Sequence, residues 1–420
     1  MMGGNASTAR VGSETARQIR AVVALIALSA LLASCASRPY GTLIAAAPAP
    51  GAGQVDLMVA TTRAPVDEPA GVMFGGARGR GLDFADVVVS IPPGRAPGEM
   101  RWPSTGPADP SRDFAVLSAD RMTLAEAKAD FDRRVRNVPG RRVLVFVHGF
   151  NTRFEEAIYR FAQITYDSRV KFAPVLFTWP SGGNITDYVY DRDSAVYSRD
   201  ALEKVLQAVV DDPSVGDVAI LSHSMGNYLT MEALRQMAIR DRGLPSKIHN
   251  VMLASPDIDV DVFRRQIESI DATPRRSTQF TLFVSRDDRA LSLSSLIARD
   301  STRLGSLDPT KEPYASMLSD ARVKVIDLTG MQSGDAINHD KFASGEVVQA
   351  ISERMAAGQQ LNNGQGGVVE SFGALTGGAI GLAGEAITAP IALTDPTRTE
   401  RSVDTARSSA TLDTINPGAK

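Results

Sequence analysis

From residue 140 onward, short apolar runs alternate with longer amphipathic stretches. The runs are RRVLVFVHGF, APVLFTWP, DVAILSHS, IHNVMLASPD, FTLFVSRDD and VKVIDLTG. Most are apolar at successive positions rather than at every second one. That marks strands buried on both faces, as in a parallel sheet covered by helices. Between them, RFEEAIYRFAQITYDS, SRDALEKVLQAVVDD, NYLTMEALRQMAIRDR, DVFRRQIES and GEVVQAISERMAAG space their apolar residues as helices do. The alternation predicts an α/β fold with a doubly wound, mostly parallel sheet over residues 138–356. Such sheets carry their functional groups at the carboxyl ends of the strands.

The flanks differ in pattern. In residues 55–137, VDLMVATT and DFADVVVSIP read as strands, and GGARGRG between them is too glycine-rich for a regular element. TLAEAKADFDRRVRN (123–137) has helical spacing, with Thr123 placed to cap it. This stretch is expected to be an N-terminal β extension at one sheet edge. Residues 357–420 form a Gly/Ala-rich tail, read as partly disordered. Within it, 371–393 is apolar with Gly373, Gly377 and Gly381 four apart, but Glu385 and Pro390 interrupt it. It reads as a surface-associated tail rather than a membrane span.

Residues 1–34 read as an address. Arg17 and Arg20 precede an uncharged apolar core, 21–33, too short for a permanent span. The end, Leu32-Ala33-Ser34-Cys35, resembles a bacterial lipobox. That resemblance implies a lipoprotein signal peptide, cleavage before Cys35 and lipidation of that residue. Ala36 next to it implies the outer membrane, facing the periplasm, within the bacterial cell envelope. Residues 35–54, rich in Ala, Pro and Gly, read as a tether.

Composition adds limits. The chain has 420 residues, is 43% hydrophobic and 22% charged, and carries a formal net charge of −3, which is ordinary for a globular protein and no invitation to nucleic acid. Cys35 is the single cysteine, so neither an intrachain disulfide nor a cysteine-based metal site can form. The four histidines, His148, His223, His249 and His339, are the whole supply of imidazole.

That supply matters because of SHSMG, residues 222–226. It follows an apolar run and opens a helical pattern, as in the G-x-S-x-G turn that lifts a serine above a sheet. Ser222 stands where that turn has its first glycine. Ser224 is the candidate nucleophile, against the plain alternative that these serines cap a helix. The N–H of Met225, at a helix start, is one candidate oxyanion donor. In His148-Gly149-Phe150-Asn151, after an earlier run, the N–H of Phe150, or else of Asn151, is the other. His148 itself reads as a structural hydrogen-bonding residue. A serine hydroxyl needs an imidazole base, and the imidazole needs a carboxylate. His339 lies on a loop past the last strand and fits the base. Asp288 is the preferred acid, with Asp287 and Asp257 as alternatives. Asp257 and Asp259 also read as caps of the following helix. Segments 181–200 and 291–320 are expected to overhang the site, with Trp179 and Tyr188 near its wall.

Taken together, VFVHGFN, FTWPS, SHSMGN, ASPDID, SRDDRALSLS and NHDKF resemble the alpha/beta-hydrolase fold, in particular its bacterial DUF900-type branch. The upstream ATTRAP, FGGARGRG and VSIPPGR resemble the same branch, in which Ser at position 222 is tolerated. The resemblance implies serine-hydrolase chemistry on an ester-type substrate, without a cofactor; the expected partner is a small-molecule or lipid ester, and no metal is expected because no His/Asp/Glu cluster has ligand spacing. It supplies neither the substrate nor the oligomeric state. Transacylation, thioester or amide cleavage would use the same triad, and a non-catalytic envelope scaffold is the remaining alternative.

Overall fold

The computed structural model describes residues 38–271, 278–318, 323–356 and 369–371. The stretch expected to be a signal peptide, Cys35 and nearly all of the C-terminal tail lie outside the described residues. The strands are β1 (Gly53–Pro65), β2 (Phe74–Ile91), β3 (Ala115–Met122), β4 (Arg142–Val147), β5 (Ala173–Thr178), β6 (Asp217–His223), β7 (Ile248–Ala254), β8 (Gln279–Val284), β9 (Val323–Asp327) and β10 (Val369–Ser371). The helices are α1 (Leu124–Arg136), α2 (Phe154–Ser168), α3 (Tyr188–Asp211), α4 (Met225–Asp241), α5 (Val260–Asp271), α6 (Arg289–Ile297), α7 (Tyr314–Leu318) and α8 (Gly345–Ala356).

The ten strands of the described residues join one sheet, ordered β10-β9-β8-β7-β6-β4-β5-β1-β2-β3. From β10 through β1 each neighbouring pair is parallel; β1–β2 and β2–β3 are antiparallel. The doubly wound, mostly parallel sheet is therefore present. Successive residues in β4 serve opposite layers: Val143, Val145 and Val147 pack with α1, α3 and α4, while Leu144 and Phe146 pack with α2 and α8. This two-sided burial is why the run is apolar at every position. The chain leaves β4 for β5 on one side, then crosses back to β6 on the other. The carboxyl ends of β4 and β6 thus flank the switch point, where open α/β sheets open a crevice.

Residues 53–122 form the antiparallel edge, with α1 closing it. Thr123 caps α1 in a full capping box with Glu126. Two expectations need correction here. The glycine-rich stretch is not irregular; it is the first half of β2. Its glycines serve close approach: a Cβ on Gly79 would stand 2.7 Å from the carbonyl oxygen of Arg63, beside register shifts in β1. Nor is the described part of residues 35–54 a free tether. Leu43 is buried, Gly41 N–H donates to Glu155, and Arg38 forms an ion pair with Glu156 while donating to Asn151 and Gly183. The small residues of this segment let it lie flat against α2, and Arg38 locks it there.

Helix α3 begins ten residues before the expected SRDALEKV pattern. Its buried stripe starts with Asp191, Ser194, Ala195 and Ser198. The helical period is intact, but polar and small residues occupy it.

Candidate active site

The turn after β6 carries Ser224 at φ 52°, ψ −125°, a sparsely populated region for a non-glycine residue. It occupies the N-cap position of α4 but makes no side-chain capping hydrogen bond. The turn is held by its backbone instead. Ser224 N–H donates to Ala254, and its carbonyl accepts from Asn227 N–H, Asn227 Nδ2 and Asp257 N–H. Ser222 adds a tie to this elbow that a glycine would lack. Its hydroxyl donates to Asn227 Oδ1 at 2.6 Å and so orients the amide that grips Ser224 and Ala254. Asn227 was visible in SHSMGN only as the last letter of a motif.

The loop after β4 presses on the elbow from the other side of the crevice. A Cβ on Gly149 would stand 2.7 Å from that of Ser224, and one on Gly226 would stand 2.2 Å from the carbonyl oxygen of His148. Gly226→Ala must therefore move main chain, which costs about 1–3 kcal/mol or more in a packed interior. A lowered denaturation midpoint together with lost turnover is the expected result.

The oxyanion candidates separate cleanly. Asn151 N–H is committed to Asp191 Oδ2. Asp191 also accepts from Ser181 and from Gly182 N–H, tying two loops together. Among the described residues no hydrogen bond takes up Phe150 N–H, and Met225 N–H sits in the first turn of α4, where helix amides lack internal partners.

His339 Nδ1 lies 2.7 Å from Asp288 Oδ2. Asp288 is fully buried, and its Oδ1 accepts from Leu291 N–H to cap α6. His339 is moored at the elbow through its carbonyl, which accepts from Ser255 Oγ and lies 3.4 Å from His223 Nε2. The His223 and His339 rings are 4.6 Å apart. Burial opposes the charged form of His339. The Asp288 hydrogen bond and charge, with Asp340 and Asp257 behind them, outweigh it and raise the imidazole above its ordinary value. A base must be neutral to take a proton. The acid limb of kcat/KM should then have its midpoint above about 6.5, with activity present above it and lost as pH falls. Asp340→Asn removes one of those charges and should move the limb to lower pH, which a kcat/KM profile against pH reads directly.

The alternative acids have other work. Asp287 accepts from Ser285 and from Lys341 Nζ at 2.6 Å. Asp257 accepts from Ser294 and from Tyr188, and its Oδ1 lies 3.3 Å from Arg303 Nε as an ion pair without hydrogen-bond geometry. It does not cap α5; Asp259 does, by accepting from Val262 N–H.

The other histidines are accounted for. His148 is buried, stacked on Trp179 at 5.0 Å, with Nε2 accepting from Trp179 N–H and Nδ1 against Gly149 O. Burial, reinforced by Arg63, holds it neutral, well below its ordinary value. Burial and the neighbouring His339 push His223 down to about 3. His249 pairs with Asp217 at the amino ends of the strands. Trp179 does not line a pocket wall: it is fully buried and its indole donates to His148 O. Tyr188 remains at the site, its ring edge-on to Phe150 at 5.3 Å.

Arg63 was not singled out in the sequence. It ends the apolar part of β1, fully buried, and donates to Thr178 Oγ1 and to the carbonyls of Gly75, Ser181 and Thr152. Burial pushes its guanidinium down to about 10. It braces the loop after β4, which carries Phe150, against the loop after β5.

The family described as "Alpha/beta hydrolase of unknown function (DUF900)" matches residues 123–355. The chain belongs to that family. This DUF900 protein is thus a member of the alpha/beta hydrolases, with the sheet and crevice described above. It is also similar to an uncharacterized protein of Nostoc sp. (strain PCC 7120), 24% identical over 132 residues, covering 26% of this chain and 34% of that one. The match therefore spans about a third of the relative's length. Among solved structures it is similar to Est1E from Butyrivibrio proteoclasticus with ferulic acid bound (TM-score 0.30, 14% identity, 51% of this chain and 90% of that one). A lipase-esterase related protein from Clostridium acetobutylicum ATCC 824 gives TM-score 0.29 at 11% identity over 53% and 95% of the two chains. These likenesses are too distant to speak of substrate.

Proposed function

We propose that this DUF900 protein is a membrane-anchored serine hydrolase that cleaves carboxylic esters through an acyl-enzyme. Ser224 attacks the carbonyl carbon while His339 takes its proton. Asp288 holds the imidazole tautomer and faces the positive charge that forms. The N–H groups of Met225 and Phe150 stabilise the oxyanion. His339 then returns the proton to the leaving alkoxide, and water, deprotonated by His339, releases the acid. The observation that carries this reading is the buried Asp288–His339 hydrogen bond, moored at an elbow whose strained serine caps nothing. Lipidated Cys35 would supply the anchor, with the chain in the bacterial envelope.

Treating the full chain with a fluorophosphonate probe tests it, followed by assay of aryl esters of rising acyl length. Labelling at Ser224 is the expected result. A wild-type chain that neither labels at Ser224 nor turns over any aryl ester would overturn the reading. The acyl-length profile separates short-chain esterase from lipase behaviour.

A further inference from the structure

Isolated exposed apolar side chains are ordinary on a protein surface, but apolar groups gathered on one face mark contact with something. Here they gather on the elements that carry the site. Ile185 and Val189 flank Tyr188 at the start of α3, and Val189 is 70% exposed. Leu293, Leu296 and Ile297 share the outer face of α6, the helix that Asp288 caps, and Leu296 is 67% exposed. Tyr188 Oη and Ser294 Oγ lie 2.9 Å apart, so the two groups adjoin. Ile337, two residues before His339, is exposed as well, and its carbonyl accepts from Arg289 N–H at the head of α6. The core needs none of these side chains.

The chain's entry point lies at the same place. Arg38 donates to the carbonyls of Gly183 and Asn151. Gly183 is two residues before Ile185, and Asn151 follows the oxyanion candidate Phe150. Cys35 is only three residues upstream of Arg38. Three extended residues reach about 10 Å. Acyl chains on Cys35 would therefore enter the bilayer beside the site. Tyr40, half exposed with Arg153 over its ring, stands at that entry point, and interfacial tyrosines favour such a depth.

We propose that the face formed by the start of α3 and the outside of α6 rests on the lipid surface, and that the site draws acyl-ester lipids from that bilayer rather than from water. This rests on the serine-hydrolase reading and on lipidation of Cys35. The short docked segment fixes the orientation: the anchor and the apolar face lie together, so the crevice opens toward the membrane.

The test uses the full acylated chain on vesicles of phosphatidylethanolamine and phosphatidylglycerol. With Cys35 acylated, an introduced cysteine is the one free thiol. Val189→Cys, Leu296→Cys and Ser246→Cys are each labelled with nitrobenzoxadiazole; Ser246 lies before β7, at the far end of the sheet. Blue-shifted emission and quenching by doxyl lipid are expected at 189 and 296 and not at 246. Labels at 189 and 296 as accessible to water as the one at 246 overturn the proposal, whatever the turnover. In a second arm, Val189→Glu with Leu296→Glu should lower hydrolysis of a long-chain p-nitrophenyl ester held in the vesicles at least about ten-fold, with p-nitrophenyl acetate in water unchanged within about two-fold. Equal loss on both esters, or none on either, counts against it. The fluorophore arm needs no turnover. A chemically silent protein with lipid-buried labels would sink the hydrolase reading and leave the membrane face standing.

Discussion

Ser224→Ala should lower kcat for an aryl ester by about 10⁶-fold, as loss of a triad nucleophile does elsewhere, without lowering the thermal midpoint. The two halves of this result come from different atoms. Ser224 is held by its main chain, through Ala254, Asn227 and the amide of Asp257, and alanine keeps all of those bonds. Its hydroxyl caps no amide of α4. A cap lost to alanine costs about 1 kcal/mol, and that cost is absent here. Ser224→Gly goes further. Glycine tolerates φ 52° without the roughly 1–3 kcal/mol that a side chain incurs there, so this variant should be inactive and melt higher. Calorimetry on the three proteins, alongside kcat, decides the matter. A serine that merely capped a helix would give the opposite: turnover kept and stability lost.

The two-sided burial of the central strands was legible because a parallel strand between two helical layers leaves no position for a polar residue. Val143 to Val147 feed both layers, and the run reads accordingly. The order of serine, acid and histidine was legible for a related reason: each follows an apolar run and so sits at a strand's carboxyl end. Other features were hidden by chemistry that sequence periodicity does not register. Arg63 is a charge at the end of an apolar run, which reads as a strand terminus. Its value lies in bonds to carbonyls more than ten residues away. Asp191 and Ser198 occupy the buried stripe of α3 as polar groups, so the apolar pattern begins later than the helix. Arg38 lies in a stretch whose Ala, Pro and Gly describe a linker. One guanidinium bound to Glu156, Asn151 and Gly183 overrides that composition. In each case a few long-range hydrogen bonds outweigh the local pattern.

The neighbouring aspartates show the same limit, and they give the second large effect. Asp288→Asn should reduce kcat/KM about 10⁴-fold, the loss seen when a triad carboxylate becomes an amide, while Asp287→Asn should leave kcat/KM far closer to the wild-type value. Adjacent residues at a strand end cannot both point inward, and the sequence does not say which one does. The helix start decides it. Asp288 turns inward because its Oδ1 caps Leu291 N–H, and this leaves Oδ2 on His339 Nδ1. Asparagine caps a helix about as well as aspartate, so the fold is expected to persist. Its amide cannot accept through nitrogen, however, and with Oδ1 on the cap it presents a donor to His339 Nδ1. The imidazole must then carry its proton on Nε2, where it cannot take one from Ser224. The loss should remain at high pH, since the tautomer is wrong even when the ring is neutral. Asp287 instead faces Lys341 and Ser285, with its side chain 38% exposed. Its removal unpairs a buried ammonium, so the effect should fall on stability rather than on the pH profile. Measuring kcat/KM and the denaturation midpoint for both variants separates these outcomes. A ten-thousandfold loss at Asp287 with Asp288→Asn active would move the acid by one residue and with it the orientation assigned to His339.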